Sequence, residues 1–180
     1  MIVDSLLYGN VVVQYATSEI TATYDGEPRT TVSVRRTGGA DHTRTPIGTR
    51  DPSAITASID GRPVELTPGK ARIMKRSYDV GISFDGRLIT MRAKNLEAST
   101  LLCGTTDDGM NSFGELTRVY DGTVDIEWSV PFAAMKKTIE PPIPSREEAL
   151  VGIAVAAAFG TGGLSAATIV SSIVGSVFPS

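Results

Sequence analysis

The chain is poor in the side chains that most catalytic and metal sites require. It contains one cysteine, Cys103, and one histidine, His42, among its 180 residues. A single cysteine makes no disulfide within the chain, and a single histidine does not supply a His-rich metal site. No nucleophile elbow accompanies His42, and the acidic pair Asp107 and Asp108 lacks the ligand spacing of an EF-hand. We therefore expect no catalytic residues, no metal and no other cofactor.

Formal charge is absent from the last part of the chain. No Asp, Glu, Lys or Arg occurs from Ala149 to Ser180, a run of 32 residues. The charges before it are unevenly placed, because residues 70–94 carry 7 basic and 2 acidic side chains and residues 95–148 carry 4 and 10. The formal net charge of -3 therefore predicts nothing about a partner, and we expect no nucleic acid partner.

The first residues do not read as an export signal. No cationic region precedes their apolar side chains, and Asp4 and Gly9 interrupt the apolar run. With one cysteine and no such signal, we expect a cytoplasmic protein, with membrane association through residues 149–178 as one alternative.

Asp-Gly dipeptides punctuate the charged part of the chain. They are the strongest local signal for a two-residue hairpin turn when alternating segments flank them. Five such pairs occur: Asp25-Gly26, Asp60-Gly61, Asp85-Gly86, Asp108-Gly109 and Asp121-Gly122.

The segments around these pairs alternate between apolar and polar residues. In the clearest hairpin, Tyr78 to Ala93, one face is apolar and the other polar, as in a sheet that covers a core. The sequence predicts a mainly β fold, an antiparallel barrel or sandwich of roughly 9–12 short strands, over residues 1–144. The polar stretch at about 35–53 is predicted to be a mobile loop.

Residues 145–180 form a hydrophobic helical segment in this interpretation. Ser145 followed by Glu148 is a capping box and predicts a helix start, and the glycines at 160–163 break the segment. The piece Ala149 to Phe159 is apolar on every side, so it needs burial in protein or in lipid. We expect it in the core of the same domain, packed in the barrel; a membrane anchor and an assembly tail are the alternatives.

The pattern resembles the Tubby C-terminal and LURP-one-like barrel superfamily. Asp-Gly hairpins, the segment Gly114-Glu115-Leu116-Thr117-Arg118 and the later EEALVGIAVAAAFG carry the resemblance, which covers residues 55–160. It implies a closed barrel of about a dozen strands around a hydrophobic C-terminal helix. It also implies lipid or partner binding rather than catalysis, since members with assigned roles bind phosphoinositides or act near membranes.

A basic block supplies the candidate binding residues. Several cations on one surface can hold phosphates or an anionic lipid head group, although a charged hairpin edge is the plainer interpretation. The candidates for anion or lipid binding are Lys70, Arg72, Lys75, Arg76, Arg92 and Lys94. The sequence thus favours a non-enzymatic module that binds a lipid, a membrane surface or a protein partner. The alternatives are a C-terminally anchored membrane protein and a self-assembling structural protein, a homo-oligomer.

Two polar or small residues outside that block are assigned structural roles. His42 reads as exposed filler in the long loop, whose glycines lack the lysine and serine of a phosphate-binding loop. Cys103, which follows two leucines, is predicted to be a small buried hydrophobe at a strand end.

Overall fold

A computed structural model describes residues 2–3, 7–42, 44–72, 75–107, 110–119, 122–134 and 137–163. The predicted turns at Asp108-Gly109 and at Asp121, and the segment 164–180, lie outside these residues. The strands are β1 Ile2–Val3, β2 Val11–Tyr15, β3 Glu19–Tyr24, β4 Glu27–Arg36, β5 Ile55–Ile59, β6 Arg62–Pro68, β7 Val80–Phe84, β8 Arg87–Ala93, β9 Ala98–Cys103, β10 Ser112–Arg118, β11 Val124–Trp128, β12 Phe132–Ala134 and β13 Lys137–Ile139. One α-helix, α1, follows at Arg146–Phe159, and two single 3-10 turns lie at Pro52–Ala54 and Lys75–Tyr78.

Asp-Gly turns join three of the hairpins. At Asp60-Gly61, between β5 and β6, φ is 50° and 81°, and at Asp85-Gly86, between β7 and β8, it is 47° and 74°. Positive φ at both central residues is the requirement of a type I′ turn, so the predicted turn chemistry is confirmed at these two sites. Asp25-Gly26 joins β3 to β4 with positive φ only at the glycine, beside a shift of register at Thr23.

The first eleven strands form one antiparallel meander. Each strand pairs with its neighbours in chain order from β1 to β11, and β12 pairs with β13 in a separate two-stranded sheet. The alternation that the sequence shows sets the faces: Val80, Ile82 and Phe84 are buried, whereas Gly81 and Ser83 are only partly covered. The prediction of a mainly β, antiparallel fold built from short hairpins is confirmed.

Helix α1 begins where the sequence predicts. The Ser145 hydroxyl accepts a hydrogen bond from the backbone N–H of Glu148, and the Glu148 carboxylate accepts one from the backbone N–H of Ser145. This capping box satisfies backbone donors that would otherwise lack partners. Every residue from Ala149 to Phe159 is buried, and α1 contacts strands of both halves of the sheet, β2, β3 and β4 as well as β8, β10 and β11.

The two margins of the sheet approach each other. The Tyr15 hydroxyl, at the end of β2, donates a hydrogen bond of 2.9 Å to the carbonyl of Gly122, just before β11. Within the described residues, no backbone pairing joins β11 to β1 or β2. The sheet therefore curves far enough to bring its first and last hairpins into contact.

The long loop between β4 and β5 is anchored to the helix end. The backbone N–H of Ile47 donates to the carbonyl of Ala158 at 2.9 Å, and the Ile47 side chain is buried. Arg36, also buried, donates to the carbonyls of Ile47, Gly38 and Thr17. The loop thus covers the last turn of α1, and its predicted mobility stays a prediction.

No helix within the described ranges is long and apolar enough to cross a membrane. Cys103 lies at the end of β9, as predicted, but its side chain is exposed. The prediction that it is buried is wrong, because Leu101 and Leu102 take the covered positions of this strand.

Candidate functional site

The chain leaves α1 through a glycine-rich segment that is held by hydrogen bonds. The Thr161 hydroxyl donates to the carbonyl of Glu97 at 2.5 Å and accepts from the backbone N–H of Arg118 at 2.7 Å. The N–H of Gly162 donates to the Ser99 hydroxyl at 2.9 Å. These bonds hold Thr161 and Gly162 beside the connection from β8 to β9.

Arg50 joins two loops at this end of the molecule. Its Nε donates to the carbonyl of Gly69 at 2.6 Å and its Nη2 to the carbonyl of Tyr78 at 2.9 Å. Its guanidinium lies 5.3 Å from the centre of the Phe159 ring, a cation–π contact with the last helical residue. Only 9% of Arg50 is exposed, and burial lowers its pKa from 12.5 to about 10, so it stays charged at neutral pH.

A small cavity lies beside this guanidinium. Its volume is about 30 Å³, close to the share of one water molecule in the liquid. No acidic side chain is among the described residues that line it. They are His42, Arg44, Thr45, Arg50, Ala71, Tyr78, Phe159, Gly160, Thr161 and Gly162.

Four exposed cations lie in the lining of the cavity or in the segments that adjoin it, and we call them the helix-exit cations: Arg44, Lys70, Arg72 and Arg76. Arg44 lines the cavity directly. Lys70 and Arg72 flank Ala71, which also lines it. Arg76 lies in the 3-10 turn that ends at Tyr78, and it lines a separate open cleft with Arg92 and Asp107. None of the four forms an ion pair with a carboxylate of the described residues. Of the six sequence-predicted residues, Lys70 and Arg72 adjoin this cavity along the chain, whereas Arg76 and Arg92 line another cleft together.

The other predicted cations are placed differently. Arg92, on β8, pairs with Asp79, with 2.9 Å between Nε and Oδ2, and it also donates to the carbonyl of Thr105. Lys94 pairs with Glu115 of β10. Both positive charges are thus partly neutralised in the fold. The side chain of Lys75 lies outside the described part of the structure.

Carboxylates also lie near the helix-exit cations. Asp41, Asp51, Glu97 and Asp107 are exposed in the adjoining segments, Asp107 lines the cleft with Arg76, and the charge of Asp79 acts on Arg50. The Asp51 carboxylate accepts hydrogen bonds from the hydroxyl and the N–H of Ser53, which lower its pKa.

The opposite end of α1 has a different charge arrangement. Arg62 pairs with Glu147 and Asp85, and Arg87 pairs with Glu148. The Arg146 guanidinium stacks 4.5 Å from the centre of the Tyr24 ring, and the Tyr24 hydroxyl donates to the Arg146 carbonyl. At the helix start the arginines thus contact carboxylates or aromatic rings, whereas the helix-exit cations face solvent.

The sequence did not single out His42, Arg44 and Arg50 as neighbours of the basic block. They lie in the polar loop that was predicted to be mobile, about 20 to 30 residues before the block. The signal available was a loop with four arginines, Arg35, Arg36, Arg44 and Arg50, which is unusual for a flexible linker. Their convergence with residues 69–78 depends on the carbonyl contacts of Arg50, which sequence pattern does not reveal.

Comparison with protein-family models, with curated proteins and with solved structures finds no match to this chain.

Proposed function

We propose that the protein is a non-enzymatic module that binds an anionic membrane surface through its helix-exit cations. The carrying observation is that Arg44, Lys70, Arg72 and Arg76 are exposed to solvent, without ion-pair partners among the described carboxylates, in segments near the C-terminal end of α1. Cations supply long-range attraction to acidic lipids.

The expected strength follows from the number of cations. Each Lys or Arg near an acidic bilayer contributes about 1 kcal/mol, so four contribute about 4 kcal/mol, roughly a thousandfold in affinity. This attraction is screened by salt within a Debye length of about 10 Å at 0.1 M. We therefore expect binding that is clear at low ionic strength and weak at high ionic strength.

We further propose that the meander closes around α1 and that the chain is related to the Tubby C-terminal and LURP-one-like barrels. The Tyr15 contact with Gly122 and the contacts of α1 with both halves of the sheet support closure. An apolar helix that a sheet surrounds has no surface left for a bilayer. A membrane role then rests on the helix-exit cations rather than on the helix, and a cytoplasmic location stays a prediction.

A pair of charge-matched variants tests the proposal. Arg72→Gln and Lys94→Gln each remove one positive charge, but Arg72 is unpaired among the described residues whereas Lys94 is bound to Glu115. Co-sedimentation with vesicles of phosphatidylcholine and phosphatidylserine measures the binding. We expect Arg72→Gln to bind the vesicles about fivefold more weakly than the native chain. Lys94→Gln should reduce the affinity by less than half as much.

Two results would contradict this proposal. Equal losses for the two variants mean that only net charge matters and that the helix exit is not the contact surface. Binding that is the same for vesicles with and without phosphatidylserine means that the cations do not select the surface. If the native chain binds neither vesicle, a protein partner becomes the better reading of the exposed cations.

A further inference from the structure

We propose that the cavity beside Arg50 is a binding site for a small oxyanion, with one oxygen of the anion inside the cavity and the others at its mouth beside Arg44. No binding role was predicted for Arg44 or Arg50 from sequence pattern. The site does not depend on membrane binding, since a free oxyanion and a phosphate in a lipid head group offer the same oxygens.

The charge of the lining favours an anion. Arg44 and Arg50 are both cationic, His42 adds a third positive charge when it is protonated, and the lining contains no carboxylate among the described residues. A buried charge without a counter-charge is unfavourable in a medium of low polarity. Arg50 is 9% exposed and forms no ion pair with a described carboxylate. The charge of Asp79 favours its protonated form, but Asp79 is paired with Arg92, so an anion in the cavity adds a direct counter-charge.

The hydrogen bonds of Arg50 leave one nitrogen for a ligand. Nε and Nη2 are each taken by a backbone carbonyl, while Nη1 has no acceptor within the described chain. A charged donor to an oxyanion oxygen forms a short, strong hydrogen bond. Because the two carbonyl contacts and the Phe159 ring hold the guanidinium plane in place, Nη1 is positioned before the anion arrives.

The nearby end of α1 does not prevent this. The C-terminus of a helix carries partial negative charge on its unpaired carbonyls, which repels anions. Here the carbonyl of Ala156 accepts from the N–H of Gly160, and that of Ala158 accepts from the N–H of Ile47, both at 2.9 Å. The last turn of α1 contains no basic residue, and Arg50 supplies a cation against the ring of its last residue, Phe159.

The size of the cavity restricts the ligand. A space of about 30 Å³ is small, which favours entry of one oxygen of a ligand over entry of a whole sugar or base. The ligand class is therefore a compact oxyanion such as sulfate or phosphate, free or at the end of a larger molecule that stays outside.

His42 reports on this site without interference, because it is the only histidine of the chain. Burial, followed by the positive charges of Arg50 and Arg44, lowers its pKa below 6.5, while Asp41 acts in the opposite direction. An anion between these cations favours the charged imidazole and moves the pKa upward. By linkage, the anion binds more tightly as the pH falls through the His42 titration.

The experiment is a proton NMR titration of the His42 ring signals in the full chain. Sodium sulfate is the probe, because it does not titrate in this pH range, and sodium chloride at equal ionic strength is the control. We expect a saturable shift of the His42 signals with sulfate and a rise of the His42 pKa by about 0.5 or more. Such a rise means that sulfate binds the protonated form about threefold more tightly than the neutral form. Shifts that are equal in sulfate and chloride would show screening alone and overturn the proposal.

Two variants separate binding from folding. Arg44→Gln removes a cation from the cavity mouth and should weaken sulfate binding at least threefold; Arg29→Gln removes an exposed cation of β4 and should leave it unchanged. Equal affinities for these two variants would also overturn the site. Arg50→Lys keeps the positive charge but loses the planar guanidinium with its several N–H donors. This variant should bind sulfate more weakly than the native chain.

Vesicle binding is measured on the same samples. Vesicle binding without a sulfate response would contradict the anion site and support the membrane proposal. A saturable sulfate response without vesicle binding does the reverse. If both occur, competition by free sulfate against vesicles of phosphatidic acid shows whether a lipid phosphate enters the same cavity, and failure to compete limits the site to free anions.

Discussion

Ile153→Ala tests whether α1 is part of the core. Ile153 lies in the middle of the helix and is 0% exposed, so the substitution removes three carbon atoms from a closely packed region. Truncations of this kind cost about 2–5 kcal/mol, because apolar contacts are lost and a cavity remains. For a chain of this size, about 2–4 °C of Tm accompanies each kcal/mol, so we expect a Tm lower by about 4–20 °C.

Ile143→Ala is the matched control for this prediction. It is the same substitution ten positions earlier, but Ile143 is 75% exposed and precedes the helix. A surface change of this kind alters stability by less than about 0.5 kcal/mol. Thermal unfolding followed by far-UV circular dichroism measures both variants. If Ile153→Ala and Ile143→Ala unfold at the same temperature, α1 is not packed in the core and the fold described here is wrong.

Two further predictions concern the helix exit. Gly162→Ala should lower the free energy of unfolding by about 1–3 kcal/mol, because φ is +78° and the added carbon would collide with the carbonyl oxygen of Leu96. The control Gly86→Ala, with φ of +74° and open space around it, should lower it by about 1 kcal/mol. Equal urea midpoints for the two variants would refute the close contact. The His42 pKa is lower in the folded than in the unfolded chain, so the free energy of unfolding should fall as the pH drops through 6.5. This part of the pH dependence should disappear in His42→Gln. If the free energy of unfolding of that variant depends on pH as in the native chain, His42 is solvated in the folded protein.

Local patterns predicted the hairpins and the helix start. At Asp60-Gly61 and Asp85-Gly86 the turn depends on two adjacent residues, so the dipeptide is sufficient to identify it. The capping box at Ser145 and Glu148 is equally local. In these cases the residues that determine the structure are within four positions of each other, and tertiary contacts are not needed to interpret them.

The site depended on contacts that are distant in sequence. From the sequence, Lys94 and Arg92 look like free cations. In the fold, the sheet register brings Glu115 to Lys94, and the end of the loop before β7 brings Asp79 to Arg92. Arg50 reads as a polar loop residue, yet it is buried because the carbonyls of Gly69 and Tyr78 and the Phe159 ring satisfy it. A charge pattern therefore located the basic block but not the partners that neutralise or extend it.

The orientation of the membrane-bound protein tests the central proposal most directly. A polarity-sensitive fluorophore is attached to one of two positions. The first is Cys103, at the end of β9 beside Leu88. The second is position 39, in the loop near the helix exit, as Gly39→Cys in a Cys103→Ser background; a side chain there meets no atom within 4 Å. With phosphatidylserine vesicles, the label at position 39 should shift to the blue and be quenched by brominated lipid, while the label at 103 should not change. Quenching at 103 with none at 39 would contradict docking through the helix-exit cations.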